Sequence, residues 1–219
     1  MASLRKKLET LWEKADEGEV EVEDLTAFAV RGDRRAADVI RGLAGAYRWP
    51  RRDKVGRKRF VPLGRWADVV GLYLEGGAPA MVAYARRRQA GSFAFAVHVL
   101  EEVRSAAAVR GMAELARGLA RSLPKRVADG VMLADAINRA MSFENPPRVG
   151  KAVVKELRVF LHRLGGLKLS EPQRAAVACA LRGVGDAESA EMVRAWPRFT
   201  GPWAGLEGMV ERAVGERKA

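Results

Sequence analysis

Positively charged residues recur at helical spacing between residues 148 and 162. Their separations of three, four, three and four positions place them on one side of an α-helix. Guanidinium and ammonium groups donate hydrogen bonds to phosphate oxygens, and a row of nearly one charge sign is unusual for a helix face. The row is therefore a candidate polyanion site, and a merely solvated helix face is the alternative. It consists of Arg148, Lys151, Lys155, Arg158 and His162.

A second candidate is the stretch 47–66, which contains eight Lys or Arg, one acid and four aromatic residues. Its cations could contact phosphates, and its aromatic rings could stack on exposed bases. Alternatively, the rings anchor the stretch to the rest of the fold. The only strand signal in the chain is a short hairpin turning near Asp53–Gly56. The cations assigned to the site are Arg48, Arg51, Arg52, Lys54, Arg57, Lys58 and Arg59, and the candidate stacking residues are Tyr47, Trp49, Phe60 and Trp66.

Two smaller groups of arginines extend the candidate polyanion site. A helix predicted over residues 34–48 carries arginines seven positions apart, away from its apolar stripe. A helix predicted over residues 79–89 ends in three consecutive arginines. These groups are Arg34, Arg41 and Arg48, and Arg86, Arg87 and Arg88.

The net charge of the chain supports an anionic partner. The 219 residues carry a formal charge of +12, distributed as −4 over residues 1–30, +9 over 31–66 and +7 over 67–219. Such asymmetry is typical of a surface that contacts phosphates or an acidic protein. Abundant arginine in a protein without such a partner would give a similar total.

Apolar residues recur at helical spacing along most of the chain, which predicts an all-α fold of about eleven helices in antiparallel hairpins. We expect one domain over residues 1–219, with an N-terminal helix in 1–18 and the basic insert 49–62 between helices. Glycine, proline and capping residues predict the boundaries. Among these boundaries are Gly76-Gly77 before Pro79, Ser105, Ser170 and Gly185-Asp186.

A short motif recurs where predicted helices meet. The segments 30–40 and 183–193 both place Gly-Asp before an alanine and an apolar pair, and 75–82 is a looser copy. The helix junctions near residues 32, 77, 105, 146 and 186 are 45, 28, 41 and 40 residues apart. This pattern resembles the HEAT family of helical-hairpin repeats, whose units span about 40–47 residues. The resemblance implies an α-solenoid with a concave binding surface, and a compact multi-helix bundle is the alternative.

Residues that could support catalysis or bind a metal are sparse. The chain has two histidines, His98 and His162, and neither has a second histidine or a cysteine four positions away. The single cysteine, Cys179, excludes an internal disulfide and a multi-cysteine zinc site. We therefore predict a non-enzymatic protein with no catalytic residue, metal or cofactor.

These features favour a protein that binds the backbone of DNA or RNA largely independently of sequence, and that packages or scaffolds it in a nucleoprotein assembly. The alternative is a helical-repeat interaction module, such as an adaptor or an immunity-type inhibitor, with an acidic protein partner. No apolar run is long enough to cross a membrane, so we expect a cytoplasmic protein or one within a nucleoprotein particle. Scarce Asn and Gln are typical of thermophilic proteins, and a GC-rich genome leaves the same composition.

Overall fold

The computed structural model describes residues 30, 48–52, 58–87, 89, 91–142 and 146–217. The chain divides by its internal contacts into two units, Met1–Val103 and Arg104–Ala219. The prediction of a single domain over 1–219 stays a prediction. Three of the predicted helices fall within residues 1–48, almost entirely outside the described residues.

The first unit contains a β-hairpin followed by two helices. Strand β1 (Arg48–Arg52) pairs antiparallel with β2 (Lys58–Pro62), in a register that places Arg48 opposite Pro62 and Arg52 opposite Lys58. This confirms the hairpin that the sequence predicted. It also shows that the predicted helix over 34–48 does not include Arg48, which lies in a strand, while residues 34–47 lie outside the described residues.

Helix α1 (Leu63–Ala85) combines two predicted helices, and α2 (Ser92–Val103) packs against it. Gly77 interrupts α1 with φ 62° and ψ −155°, a conformation that favours glycine, and Pro79 begins the helical segment that follows. The predicted break at Gly76-Gly77 is therefore a kink. The buried residues of this pair include Val69, Val70, Met81, Val97 and Leu100.

The second unit contains six helices joined by short connections. They are α3 (Ala106–Leu119), α4 (Val127–Met141), α5 (Lys151–Gly165), α6 (Glu171–Val184), α7 (Ala187–Arg194) and α8 (Leu206–Glu216). Short 3₁₀ turns at Leu123–Lys125 and Gly201–Trp203 precede α4 and α8. The described chain is thus all-α in class, with eight α-helices and one hairpin.

Capping residues set several of these helix starts as the sequence predicted. The Ser105 side chain accepts a hydrogen bond from the Ala108 amide at the start of α3. Ser170 and Gln173 form a capping box on α6, and Asp186 and Ser189 form one on α7. Each satisfies backbone donors that have no partner within the helix.

Helix contacts in the second unit follow a regular order. Consecutive helices pair as α3 with α4, α5 with α6, and α7 with α8. In addition, α5 contacts both α3 and α7, while α6 contacts both α4 and α8. The core between them is fully buried and includes Leu133, Ile137, Leu157, Leu161, Leu164 and Leu181.

Candidate functional site

Charge is unevenly distributed along the second unit. Residues 104–169, which include α3, α4 and α5, carry thirteen Lys or Arg and five acids, for a net charge of +8. Residues 170–219, which include α6, α7 and α8, carry seven of each, for a net charge of zero. We call these the basic segment and the neutral segment.

Several acidic residues of the basic segment are paired with an arginine or are partly buried. The guanidinium of Arg117 on α3 donates two hydrogen bonds of 2.8 Å to the Glu156 carboxylate on α5. Arg126 pairs with Asp129 at 2.6 Å. Burial raises the pKa of Asp135, although the charge of Arg139 opposes that change.

Eight exposed cations of the basic segment make no ion pair with any residue in the described ranges. A fixed positive charge without a counter-charge attracts an external anion more strongly than a paired one. These residues are Arg110, Arg121, Lys125, Arg148, Lys151, Lys155, Arg163 and Lys168.

Helix α5 shows which of its predicted cations face solvent. Leu157, Phe160, Leu161 and Leu164 are buried on its inner side. Its outer face consists of Lys151, Lys155, Val159 and Arg163, and Val159 is 41% exposed. Between Lys155 and Arg163 the helix rises about 12 Å at 1.5 Å per residue, so the two cations lie about two turns apart.

The rest of the predicted row has other roles. Arg148 is exposed but precedes α5, whose N-cap is Gly150, so the predicted start of this helix at Arg148 is wrong. Arg158 pairs with Asp186 at 2.8 Å, and His162 Nε2 lies 2.7 Å from the Ser189 hydroxyl. Side chains that the sequence assigned to a solvent-facing row therefore attach α5 to the start of α7.

The Asp186 carboxylate is at the centre of this junction. Partial burial acts to raise the pKa of Asp186, but hydrogen bonds from Ser189 and the charges of Arg158 and His162 outweigh it, and the pKa is lowered. Close by, the Arg217 guanidinium donates to the carbonyls of Leu181, Arg182 and Gly185 at the end of α6. The junction thus joins α5, α6, α7 and the end of α8.

Ser189, His162 and Glu188 at this junction are the residue types of a nucleophile, a base and an orienting carboxylate, but only Ser189 and His162 are within hydrogen-bond distance of each other. His162 Nδ1 lies 3.8 Å from Glu188 Oε1. However, Ser189 is 0% exposed, and its hydroxyl donates to Asp186 Oδ1 and accepts from the Asp186 amide. That hydroxyl has one proton, so His162 Nε2 is the donor to it. The geometry favours a capping role over catalysis.

We predict that the charge of Asp186 stabilises the fold in a pH-dependent way, which the substitution Asp186→Asn isolates. Asn retains the N-cap function but not the charge. Because the folded-state pKa is lowered, the stabilisation is present above the unfolded pKa of about 3.9 and is lost as pH falls through the folded pKa. Urea unfolding should show the variant about 1 kcal/mol less stable at pH 7, with the gap closing at a pH below the folded-state pKa of Asp186. A gap of equal size at both pH values would contradict this.

The other predicted cations are placed as follows. Arg86 and Arg87 are exposed beyond α1, and the Arg87 guanidinium carbon lies 5.0 Å from the centre of the Tyr84 ring. The helix predicted to reach Gln89 ends at Ala85. Trp49 and Phe60 lie in the strands and Trp66 in α1. Predicted site residues outside the described ranges are Arg34, Arg41, Tyr47, Lys54, Arg57 and Arg88.

The hairpin register adds an observation that the sequence did not provide. Arg51 is opposite Arg59, and Arg52 is opposite Lys58. Opposed like charges destabilise a strand pair unless a counter-charge lies near them. The strand register therefore places two pairs of cationic residues opposite one another.

The sequence reasoning missed five of the eight exposed cations, namely Arg110, Arg121, Lys125, Arg163 and Lys168. Arg163 is eight positions from Lys155, which places the two about 80° apart around α5, whereas Arg121 lies beyond the end of α3. None of the helices in the described ranges is long and apolar enough to cross a membrane. Those ranges also contain no cluster of three His, Cys, Asp or Glu side chains that could hold a metal ion.

The chain matches no protein-family model, no curated protein and no solved structure.

Proposed function

We propose that the protein is a non-enzymatic nucleic-acid-binding protein that contacts the phosphate backbone through its basic segment, largely independently of sequence. The observation that carries this proposal is the set of eight exposed cations in residues 104–169 that have no ion-pair partner among the described residues. Contacts from such cations release condensed counterions and provide affinity without reading bases. In a nucleoprotein assembly, this binding would package or scaffold the nucleic acid.

The proposal includes a HEAT-like α-solenoid arrangement for the second unit. Its support is that α5 contacts both α3 and α7, while α6 contacts both α4 and α8, as expected if α3, α5 and α7 form one layer and α4, α6 and α8 the other. The helices of the first layer begin at residues 106, 151 and 187, so successive units are 45 and 36 residues long. In such a stack, α3 and α5 are neighbours, and their exposed cations belong to one layer.

The proposal is tested by measuring the affinity of the full chain for duplex DNA, single-stranded DNA and RNA as a function of salt. The logarithm of affinity should fall with the logarithm of salt concentration by about 0.9 per phosphate contact on duplex DNA and about 0.7 on a single strand. Affinity for all three that is independent of salt, together with an acidic protein that copurifies, would replace the proposal with the protein-interaction alternative.

The variant Glu156→Gln tests the same proposal by increasing the net positive charge of the basic segment. It removes an acid from the basic segment and releases Arg117, so binding should become several-fold tighter and the salt slope steeper by about 0.9. An exposed ion pair contributes little to stability, so the variant should remain folded.

Glu211→Gln is the matched control for that variant. Glu211 pairs with Arg194 at 2.8 Å across α7 and α8, at an exposure similar to that of Arg117 and Glu156. Because this pair lies in the neutral segment, its loss should leave affinity unchanged. Equal gains from both variants would show that binding responds only to total charge.

A further inference from the structure

The β1–β2 hairpin differs in composition between its two ends. At the open end of the hairpin, Arg48 is paired with Pro62, Trp49 with Val61 and Pro50 with Phe60. The two pairs nearest the turn are instead all cationic, Arg51 with Arg59 and Arg52 with Lys58. One end is therefore mainly apolar, and the other consists only of positive charge.

The cationic pairs also occupy both faces of the hairpin. Residues alternate between the faces of a strand, and opposed residues share a face. Arg51 and Arg59 thus belong to one face, while Arg52 and Lys58 belong to the other. Packing either face of this end against a protein core would bury two like charges, which is strongly unfavourable. The cationic end is suited to surroundings that are negatively charged on both sides.

A groove of duplex nucleic acid provides such surroundings, because a phosphate strand runs along each of its edges. The major groove of B-form DNA is about 12 Å wide and admits a two-stranded β-ribbon, whose strands lie about 4.8 Å apart. A-form RNA has a deep and narrow major groove that a ribbon does not enter. A single strand has no such groove.

We propose that the β1–β2 hairpin is an arm that enters the major groove of duplex DNA, with its cationic pairs directed to the phosphates on both sides. This inference rests on the proposed function and specifies its substrate class. The apolar end anchors the arm. The neighbouring phosphates neutralise the repulsion between Arg51 and Arg59, and between Arg52 and Lys58.

The test is the double substitution Arg51→Glu and Lys58→Glu in the full chain. Each new acid would lie opposite a remaining cation, so the hairpin gains an attractive pair on each face and should melt at an equal or higher temperature. Binding to a 20-base-pair duplex DNA should weaken, and its salt slope should fall by about two units. Protection of guanine N7, a major-groove atom, from methylation should also disappear. The loss should be smaller for single-stranded DNA and for an RNA duplex of the same sequence.

The matched control is Arg198→Glu with Arg212→Glu, which makes the same change in net charge at exposed positions of the neutral segment. If both double variants weaken binding to duplex DNA equally, the hairpin proposal fails. It also fails if duplex and single-stranded DNA lose affinity equally, or if N7 protection persists. Should the glutamate variant fold poorly, Arg51→Gln with Lys58→Gln gives the same comparison, with a smaller expected loss. If substitutions on α5 weaken binding while the hairpin variants do not, the hairpin proposal fails and the proposed function stands.

Discussion

Replacing Lys155 and Arg163 together by glutamate is expected to weaken nucleic-acid binding about a hundredfold, or about 2.7 kcal/mol. The two side chains are exposed on the outer face of α5 and make no ion pair in the described part of the chain. Each lost phosphate contact should cost on the order of tenfold in affinity and about 0.9 in the salt slope. Filter binding or fluorescence anisotropy at several salt concentrations would measure both.

The control for this experiment is again Arg198→Glu with Arg212→Glu. It changes the net charge by the same amount but modifies the neutral segment, so we expect little loss of affinity. Neither pair of substitutions removes a buried group or a described ion pair, so both variants should unfold at nearly the urea concentration of the parent protein. Similar losses from the two variants would show that the basic segment is not the binding surface.

Gly183→Ala is expected to destabilise the fold by about 2 kcal/mol, because the added methyl group has no space. A Cβ atom at Gly183 on α6 would lie 2.7 Å from the Met141 Cβ and 2.9 Å from its carbonyl carbon and oxygen. Two of these three contacts are with backbone atoms, which cannot move aside as the end of a flexible side chain can. Urea unfolding followed by circular dichroism would measure the change.

Gly118→Ala provides the comparison for this substitution. Gly118 lies within α3, and a Cβ atom there would meet nothing within 4 Å. The variant should gain about 0.5–1 kcal/mol because alanine loses less backbone freedom than glycine on folding. If Gly183→Ala were as stable as Gly118→Ala, the approach of α4 to α6 would not be tight.

Local signals were sufficient for the class of fold and for many element boundaries. Ser105, Ser170 and Asp186 cap helices because a short polar side chain can reach a free amide one turn ahead. Gly77 marks the kink in α1 for a similarly local reason, its positive φ. The hairpin in the basic insert was also recognisable. These features depend on neighbours in the sequence, so one chain contains the information needed.

The composition of the candidate site depended on contacts between distant residues. Spacing alone groups Arg158 and His162 with Lys151 and Lys155, because all four lie within a limited range of angles around α5. The packing of α7 against one flank of α5 assigns Arg158 to Asp186 and His162 to Ser189. Similarly, Glu156 is paired because α3 lies on the other flank. Helical periodicity in the sequence does not show which side of α5 another helix packs against.

The charge boundary near residue 169 has a consequence for association. Because residues 104–169 carry +8 and residues 170–219 carry no net charge, we expect the second unit to have an electric dipole. In dilute salt a dipole turns a protein during approach, so encounters with a phosphate backbone should occur with α3 to α5 foremost and be faster than random collision. After docking, helices α7 and α8, which carry five acids and two arginines, would lie towards the solvent. They would have little attraction for a second nucleic-acid molecule, so we expect this unit to coat one molecule and not to cross-link two.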